Sequence, residues 1–531
     1  MISKKEQIIQ NALDGYDILK NKASLSNLDN IKYELLKVDL IFDNLYLSNF
    51  IFKKNIPNTN ILTKQILFST LIDLNFNIKY LNSIKLSSNI SYPLPKRWQN
   101  VLIKQNIKVS TFRCNLLWYI FLIKCWFNGL KNIFKICIYS IISILKKDKS
   151  FDNIYSYCFN LNELALEYDY INKKSKIFLN WYSNYIENNI HLNLFHNVSS
   201  IKNKKINNKI TIKYNKHSLP FFINFKQLFY FLFYCLYLTI QSFFKFLLGR
   251  WENLLLFNET VQYLQVKCIN SDLLAKDYLF NNSMNIYKPL WTYEAEIKGS
   301  NVIYYFYSKP SYYYITSNLI NNVLIEKLKL QTWNTYFVWD NSDKLFLINF
   351  VNYPRNIFTT GSILFGKPFN KFNFTYISIF DIQSMIDEYY KLLGVSEEYY
   401  IPEIAIQFLS DIKKVASKYN FKIIYKRKRN IKNMLHPNLI KFIDNYFQKE
   451  FIYQIDPDYC AFDVIKNSIA TISMPFTSTA FIGKELNKPS IFYDPTGLVS
   501  KNNNNSNGIQ IINKIDELDN WANQIFKNIL N

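Results

Sequence analysis

The hydroxyl-rich stretch SMPFTSTA, at residues 473–480, is the part of the sequence best suited to bind an anion. A short apolar strand is predicted to end at Pro475, so that Thr477, Ser478 and Thr479 fall in the first turn of a helix. Free N–H groups and the positive end of the helix dipole attract phosphate to such a turn, and hydroxyls add donors. Simple helix capping is the alternative interpretation, because Ser and Thr are preferred cap residues.

Two further groups are predicted to reach the same region. His436 precedes Pro437, which suits the first position of a helix, and its imidazole could donate to a phosphate there. The basic run at 426–429 directly follows a predicted strand, and Lys426 and Arg427 are candidates for a phosphate contact. The ordinary alternatives are an exposed loop histidine and a solvated run of charge.

The elements that position these groups follow from the hydrophobic pattern. After residue 400, short apolar strands alternate with amphipathic helices, which predicts parallel βαβ units. The same alternation begins after Trp251, where LLLF at 254–257 and NVIYYFYS at 301–308 are predicted as buried strands. The predicted fold class is therefore α/β, with two Rossmann-like lobes. Ligands of such sheets bind at the carboxyl ends of the strands.

Two long stretches of the N-terminal half are unusually apolar and are expected as helices added to its lobe. In 115–147 the polar residues recur at every third or fourth position, which predicts a lysine stripe beside a broad apolar face. Within 219–250, residues 227–244 carry no charge and many Phe and Tyr. We expect both segments to lie in an anionic membrane surface instead of crossing the bilayer. Buried core helices, and for 227–244 a membrane span, are the alternatives.

The charge of the chain favours anionic partners. Lys and Arg total 63 against 40 Asp and Glu, which leaves a net charge of +23. Nucleic acid is not expected as a partner, because the densest aromatic residues lie in apolar runs and are not interleaved with basic ones. The polar start, MISKKEQIIQ, has no apolar signal core, so we expect a cytoplasmic protein.

Neither a metal nor a cofactor is predicted. The seven Cys are scattered singly, and the four His make no metal-ligand spacing with them. The sequence has no P-loop, no GxGxxG and no GxSxG. A nucleotide is therefore expected only as the carrier of a transferred group. Gly361 is a further candidate for close approach to that ligand, because a chain with only ten glycines keeps them where the backbone requires them.

The stretch SMPFTSTAFIGKELNKPSIFYDPTG resembles the signature of bacterial polysaccharide-biosynthesis proteins named for their Pro-Phe-Thr-Ser motif. The wider layout is similar to metal-independent glycosyltransferases of the two-lobed GT-B fold, among them bacterial sialyltransferases. In those enzymes a His-Pro motif and a later Ser/Thr pair contact the phosphate of a CMP-sugar, and His436-Pro437 and Thr477-Ser478 match that order. The resemblance implies a nucleotide-sugar donor, with a CMP-sugar as the form that sialyltransferases use, and a lipid-linked or polysaccharide acceptor.

The resemblance also implies that the catalytic base lies in the N-terminal lobe. An inverting transfer needs one carboxylate to accept the proton of the acceptor hydroxyl. The candidates are Glu294, Glu259 and Glu296, of which Glu294 is preferred because it begins a helix that ends at Gly299 before a predicted strand. The alternative for each is a carboxylate that only stabilises the start of a helix through its dipole. The acidic-acidic-Gly base motif of sialyltransferases has no matching form in this chain.

These inferences predict a membrane-associated, metal-independent inverting glycosyltransferase, bound to the inner face of the cytoplasmic membrane. Its role would be bacterial surface polysaccharide assembly, as of capsule or lipopolysaccharide. A CMP-dependent glycerol- or ribitol-phosphate polymerase and a non-catalytic scaffold of the assembly machinery remain alternatives. Four regions are expected: a mixed helical region at 1–110, an acceptor lobe at 111–340, a nucleotide-sugar lobe at 341–515 and a terminal helix at 516–531.

Overall fold

A computed structural model of the chain defines the architecture described below. The described residues are 4–21, 26–41, 58–146, 154–186, 191–282, 287–309, 322–352, 356–382, 384–394, 401–428, 430–431, 434–446, 452–502 and 506–530. Arg429 of the basic run and Lys147 at the end of the first apolar stretch lie outside them.

Helices make up most of the described residues of the N-terminal third and alternate with strands thereafter. The helices are α1 (Lys4–Asn21), α2 (Ser26–Lys37), α3 (Thr59–Leu71), α4 (Leu74–Lys85), α5 (Lys96–Lys104), α6 (Thr111–Lys146), α7 (Phe178–Tyr185), α8 (Phe225–Leu247), α9 (Glu252–Leu255), α10 (Phe257–Cys268), α11 (Trp291–Ile297), α12 (Asn322–Lys329), α13 (Asn341–Phe350), α14 (Asp387–Leu393), α15 (Pro402–Lys418), α16 (Pro437–Tyr446), α17 (Ala461–Lys466), α18 (Ser478–Glu485) and α19 (Ile515–Leu530). The strands are β1 (Ser156–Cys158), β2 (Leu192–His196), β3 (Lys204–Lys205), β4 (Ile210–Tyr214), β5 (Asp277–Asn281), β6 (Asn301–Tyr305), β7 (Thr335–Val338), β8 (Asn356–Thr359), β9 (Tyr376–Phe380), β10 (Lys422–Lys426), β11 (Ile452–Ile455), β12 (Ala470–Ser473), β13 (Ser490–Tyr493) and β14 (Gln510–Ile512).

The first sheet forms the core of the N-terminal lobe. Its strand order is β3-β4-β2-β1-β5-β6-β7-β8, and every pair is parallel except β3 with β4. The order reverses between β1 and β5, since the chain builds outward from β1 in one direction and then returns to its other side. Such a reversal opens a crevice at the carboxyl ends of the two strands.

The second sheet forms the core of the C-terminal lobe and is parallel throughout. Its strand order is β11-β10-β9-β12-β13-β14, and the reversal lies between β9 and β12. Ser473, the last residue of β12, is in register with Phe380, the last residue of β9. The inner strands are apolar and buried because helices cover both faces of a parallel sheet. The predicted α/β class with two Rossmann-like lobes is confirmed by these two sheets.

Two details of the prediction are wrong. Residues 254–257 form helix α9 and the start of α10, where Leu256 N–H donates to the Glu252 carbonyl at 2.9 Å, so they are not a buried strand. A short apolar run cannot distinguish a buried strand from a buried helix. The boundary at 340/341 also differs, because α13 is followed by β8, which pairs with β7 in the first sheet.

Helices α6 and α8 pack against each other on the N-terminal lobe. The Trp126 indole N–H donates to Ser242 Oγ at 3.1 Å, and the Trp126 and Phe243 rings lie 6.0 Å apart. Both helices are long and apolar enough to cross a membrane. The core helix of a soluble protein can have the same length and composition. In these two, only 22% and 33% of the most apolar window is buried. Most of their apolar surface therefore faces outward.

Candidate functional site at the start of α18

The chain turns sharply between β12 and α18. After Ser473 it passes through Met474 and Pro475, and Phe476 then adopts a φ of +59°. A bulky residue in the left-handed region is strained, and such strain is concentrated at functional sites. The Phe476 ring packs 5.8 Å from that of Phe492 on β13, which helps to hold the turn. The turn thus presents the first residues of α18 at the crevice between β9 and β12.

The hydroxyls of this turn bond to each other and not to the helix end. Thr477 is the N-cap residue, but its hydroxyl donates to the Met474 carbonyl at 2.8 Å and makes no capping bond. Thr479 Oγ1 lies 2.8 Å from Ser473 Oγ and 3.2 Å from Thr477 Oγ1. Ser478 is half-buried, and within the described residues its hydroxyl has no hydrogen-bond partner. The capping alternative is therefore not what the geometry shows, and the helix end keeps donors for a ligand.

His436 caps helix α16 and is tied to the segment that follows β9. Its backbone N–H donates to the Ser384 carbonyl at 3.0 Å, and its Nδ1 accepts from Asn438 N–H at 3.2 Å. Because Nδ1 is an acceptor, the neutral ring carries its proton on Nε2. Nε2 lies 3.5 Å from Asp387 Oδ1, and the ring is 14% exposed. In the turn after β12, Met474 N–H donates to the carbonyl of Phe380, the last residue of β9, at 3.0 Å. His436 and this turn are therefore both bonded to the chain at or just after the end of β9.

The two basic candidates differ in surroundings. Lys426 is buried, and its ammonium donates to the Pro457 carbonyl at 2.8 Å, so it holds the end of β11. Burial lowers the pKa of Lys426 to about 8, because the charged form is desolvated. Arg427 is half-buried, and its charge acts on Asp381 at the end of β9. The charges of both side chains reach Asp381, and of the two only Arg427 is partly exposed.

Asp381 was not predicted as a site residue. It directly follows β9, is 1% exposed, and its Oδ2 accepts from the Tyr425 hydroxyl at 2.5 Å. Its Oδ1 is buried and has no hydrogen-bond partner among the described residues. Burial raises its pKa to about 6, although the Tyr425 hydroxyl and the charge of Arg427 oppose that rise. The pattern that could have identified it is an acid at the carboxyl end of the central strand YISIF.

The two lobes meet beside this turn. Lys309, which follows β6, is fully buried, and its ammonium lies 3.8 Å from the centre of the Phe481 ring on α18. The same ammonium pairs with Asp340 at 2.7 Å and Asp343 at 3.2 Å. The ring centres of Trp339, which follows β7, and Phe481 lie 6.0 Å apart. The carboxyl ends of β6 and β7 therefore contact α18 one turn after Ser478, and the helix start lies where the lobes meet.

Gly361 lies on the same boundary, at the other end of α18. It has a φ of +78°, and a side chain there would approach the Lys176 ammonium at 2.8 Å. The next residue, Ser362, donates to Glu485 at the last position of α18, at 3.1 Å. The glycine thus allows the connection between the lobes to pass close to α18.

The three predicted catalytic acids lie within the helical layer of the N-terminal lobe. Glu294 is buried and accepts from the Tyr263 hydroxyl at 2.7 Å. Glu259 is on α10, because residues 254–257 before it are helical and do not form the predicted strand. Its carboxylate accepts from the Tyr287 hydroxyl, and burial raises the pKa of Glu259. Glu296 pairs with Lys288 at 2.8 Å.

Position in the βαβ unit explains this arrangement. Helix α11 runs back from the carboxyl end of β5, so its last turn lies near the amino ends of the strands. Asn334, which directly precedes β7, donates to Glu296 at 2.6 Å and places that carboxylate at the amino edge. The bonds named here join Glu259, Glu294 and Glu296 to other groups of the N-terminal lobe, and the role of these three acids as catalytic base stays a prediction.

A different acid follows β1 at the carboxyl edge of the first sheet. Glu163 begins a short 3₁₀ helix, Glu163–Leu166, and its side chain is exposed. Amide groups surround the strand ends beside it: Asn160 N–H donates to Asn197 Oδ1 at 2.8 Å, and Asn281 donates to the Asn160 carbonyl at 3.3 Å. The sequence interpretation missed Glu163 because β1 is only three residues long.

Among the described residues, no group of three or more His, Cys, Asp and Glu could hold a metal ion.

The family model described as "Polysaccharide biosynthesis PFTS motif protein" matches residues 239–522. No curated protein matches the chain.

Several solved structures are similar to the chain at low identity. An α,α-trehalose-phosphate synthase (UDP-forming) from Burkholderia vietnamiensis is 6% identical, with a TM-score of 0.34, over 71% of this chain and 92% of that one. UDP-GlcNAc 2-epimerase from Methanocaldococcus jannaschii is 10% identical, with a TM-score of 0.35, over 70% and 92%. TarM is 11% identical, with a TM-score of 0.27, over 51% of this chain. The chain covers about half of the length of TarM, 52%. Likeness at these TM-scores carries no argument about activity.

Proposed function

The chain belongs to the polysaccharide biosynthesis PFTS motif family, and on that premise we propose that it is a glycosyltransferase that uses a nucleotide-activated sugar. The observation that carries the proposal is the uncapped start of α18, which contains the family's motif and adjoins the strand reversal between β9 and β12. Ligands of open parallel sheets bind at such reversals, and a helix start there favours a phosphate. A CMP-sugar is the donor that the sialyltransferase resemblance suggests.

The leaving phosphate is the group that this turn would stabilise. Negative charge develops on it as the bond to the sugar breaks, and fixed donors aimed at developing charge lower the barrier. Ser478 supplies a hydroxyl without a partner among the described residues, and the first turn of α18 supplies N–H groups. His436 supplies Nε2–H, whose position is supported by the bond from Asn438 to Nδ1. No step in this scheme requires a divalent ion.

We propose Glu163 as the catalytic base, in preference to Glu294. Its carboxylate is exposed at the carboxyl edge of β1, next to the strand reversal of the first sheet. The amides of Asn160, Asn197 and Asn281 near it are groups that can hydrogen-bond the hydroxyls of a sugar acceptor. The carboxylate would accept the proton of the attacking hydroxyl, and the sugar would transfer with inversion.

The acceptor is proposed to be lipid-linked or a growing polysaccharide, and the protein to lie on the inner face of the cytoplasmic membrane. Support comes from the outward apolar faces of α6 and α8 and from the excess of basic residues. On α6 the exposed apolar stripe, which includes Phe127 and Phe134, runs beside exposed lysines at 124, 131 and 135. A helix with that arrangement suits the boundary between headgroups and acyl chains.

To test the donor site, turnover and melting temperature are measured for Ser478→Ala, for His436→Ala and for the double variant. Loss of one such donor typically lowers turnover about a hundred- to a thousand-fold. Ser490→Ala is the matched control, because Ser490 begins β13 at the amino ends of the strands, whereas the donor site lies at their carboxyl ends. A less-than-additive double variant would place both groups on one phosphate. Lower melting temperatures with near-normal turnover would contradict the proposal.

Product analysis and chelation test the reaction itself. With candidate nucleotide-sugars we expect a glycoside, and a phosphodiester product would instead indicate a glycerol- or ribitol-phosphate polymerase. Turnover should persist in EDTA; complete loss in chelator that Mg²⁺ or Mn²⁺ restores would overturn the metal-independent scheme. Nucleotide binding without any transfer would favour the non-catalytic scaffold.

A further inference from the structure

A cavity of about 410 Å³ lies between α6 and the carboxyl ends of β2 and β4. We call it the α6 pocket, and its walls include Tyr139, Ile142, Phe195, Lys213, His217 and Phe221. Two hydrogen bonds hold the loop that closes it. Phe222 N–H donates to Ser140 Oγ on α6 at 3.2 Å, and the Tyr157 hydroxyl donates to the Asn215 carbonyl at 2.7 Å. Tertiary contacts therefore hold the loop that forms one wall, while the exposed side chains of Tyr139, Ile142 and Lys213 leave the pocket open to solvent.

The pocket is basic, and no acid lines it. Lys213 lies in its wall, and the charges of Lys135 and Lys216 act on His217. In the described part of the chain none of these three lysines has a carboxylate partner. Aromatic rings hold the imidazole: Tyr139 is 4.8 Å and Phe221 4.9 Å from His217. A group of unpaired cations around an oriented imidazole is complementary to an anion such as phosphate.

The pocket adjoins the outward apolar stripe of α6. Ile138, Ile141 and Leu145, which are 50%, 42% and 73% exposed, flank the wall residues Tyr139 and Ile142 along the helix. A ligand with a phosphate in the pocket could therefore lay an apolar chain along α6. Free phosphate would use only the pocket and leave the adjoining stripe uncovered.

We propose that the α6 pocket binds the phosphate headgroup of a membrane lipid, whose apolar chain runs along α6. This inference rests on the proposed membrane orientation of α6 but not on the donor site at α18. Lys213 and His217 would donate to the phosphate, while Tyr139 and Phe221 exclude water from one side of it. The pocket would set the depth and orientation of the N-terminal lobe at the bilayer surface.

The test is binding of the full chain to phosphatidylcholine vesicles that contain either phosphatidate or phosphatidylglycerol at matched surface charge. We expect a preference for phosphatidate, whose phosphomonoester exposes more acceptor oxygens, and its loss in Lys213→Glu and His217→Ala. A lysine near an anionic surface contributes about fivefold in binding, so the charge reversal should weaken phosphatidate binding about tenfold or more. Lys131→Glu is the control: it makes the same charge reversal on α6 outside the pocket, so it should weaken binding to both kinds of vesicle alike and leave the preference for phosphatidate intact.

Three results would overturn the proposal. The wild-type chain could show no preference between the two lipids, or Lys213→Glu could retain it. Alternatively, soluble glycerol phosphate could bind the chain as tightly without vesicles, which would make this a site for free phosphate. Melting shifts with nucleotides, measured on the same variants, report on the donor site separately. A chain that binds nucleotide but not phosphatidate would refute only the lipid site.

Discussion

Helix α8 exposes large apolar side chains on its outward face and buries others beneath it, whereas helix α15 of the C-terminal lobe exposes mainly polar ones and buries its apolar face. On α8, Phe229 and Phe233 are 69% and 61% exposed, while Gln227 is buried and donates to Asn270 at 2.8 Å. On α15, Phe408 and Ile412 are buried against the second sheet. The exposed apolar face of α8 is costly in water and favourable in lipid.

The C-terminal lobe has two polar groups without a partner beside its strand reversal. Within the described residues, Ser478 and Asp381 Oδ1 have no hydrogen-bond partner, and both adjoin the strand reversal of the second sheet. A buried oxygen without a partner, as at Asp381, calls for an explanation such as a ligand, whereas the half-buried Ser478 hydroxyl stays accessible to one. Among the described residues, buried polar atoms without a partner also occur in the N-terminal lobe, as at Gln65 Oε1 and the Tyr336 hydroxyl. Asp381 differs from these in its place at the carboxyl end of β9, and the N-terminal lobe differs in the apolar surface that α6 and α8 expose.

The largest effect is expected where the two lobes share the reaction. Glu163→Gln should lower kcat about a hundred- to ten-thousand-fold, because removal of a general base typically costs that much. Glu294→Gln is the matched control: its amide still accepts from the Tyr263 hydroxyl, so turnover should stay near normal. Initial rates and melting curves for both variants decide between them. If Glu294→Gln alone stops turnover without a melting shift, the base is the residue that the sequence predicted.

The outward face of α8 can be tested against its inward face. Phe229→Ala with Phe233→Ala should leave the melting temperature nearly unchanged and weaken vesicle binding at least about tenfold, because two exposed rings no longer enter the bilayer. Phe231→Ala should do the opposite, with a loss of about 3–5 kcal/mol in unfolding free energy, since Phe231 is fully buried. Vesicle sedimentation and calorimetric melting supply the two readouts.

Two outcomes would remove the contrast between α8 and α15. Equal melting losses for the outward and inward variants of α8 would mean that another protein surface covers its outer face. Retention in alkaline carbonate, with release only by detergent, would mean that residues 227–244 cross the bilayer instead of lying in its surface.

A smaller effect is expected from the unpaired oxygen of Asp381. Burial raises the pKa of Asp381 to about 6, so the folded chain holds this proton more tightly than the unfolded chain. The resulting stability is full below the ordinary pKa near 4 and is lost as the pH rises through about 6. Asp381→Asn should therefore stabilise the chain at neutral pH, by up to about 3 kcal/mol, and have little effect near pH 4.

Asp494 is the control for Asp381, because it is equally buried but fully bonded. It follows β13 and accepts from Thr496 N–H at 3.0 Å and Val499 N–H at 2.8 Å. Asp494→Asn should destabilise the chain at neutral pH, since an amide nitrogen would face one of these donors. Melting temperature measured against pH separates the two variants. A loss of stability at neutral pH in Asp381→Asn would show that its carboxylate is paired after all.

Much of the architecture could be predicted because local patterns determine it. Alternating apolar strands and amphipathic helices from Pro402 onward specify parallel βαβ units, and the apolar length of α6 and α8 is visible in the letters. The run at 254–257 could not be assigned, since four apolar residues fit a strand and a helix equally well. Strand β1 was missed because it is short and its neighbours in the sheet are distant in sequence.

The chemistry available to this chain can be read from its residues: the hydroxyls of the turn at 473–480, the His-Pro pair, the basic excess and two apolar helices. Which of these groups meet depends on how the lobes pack. That packing left an apolar face of α8 exposed, buried Glu294 beside Tyr263 and placed the exposed Glu163 in the turn after β1. Burial and partners depend on contacts between residues far apart in the chain, and periodicity reports only on neighbours along one element.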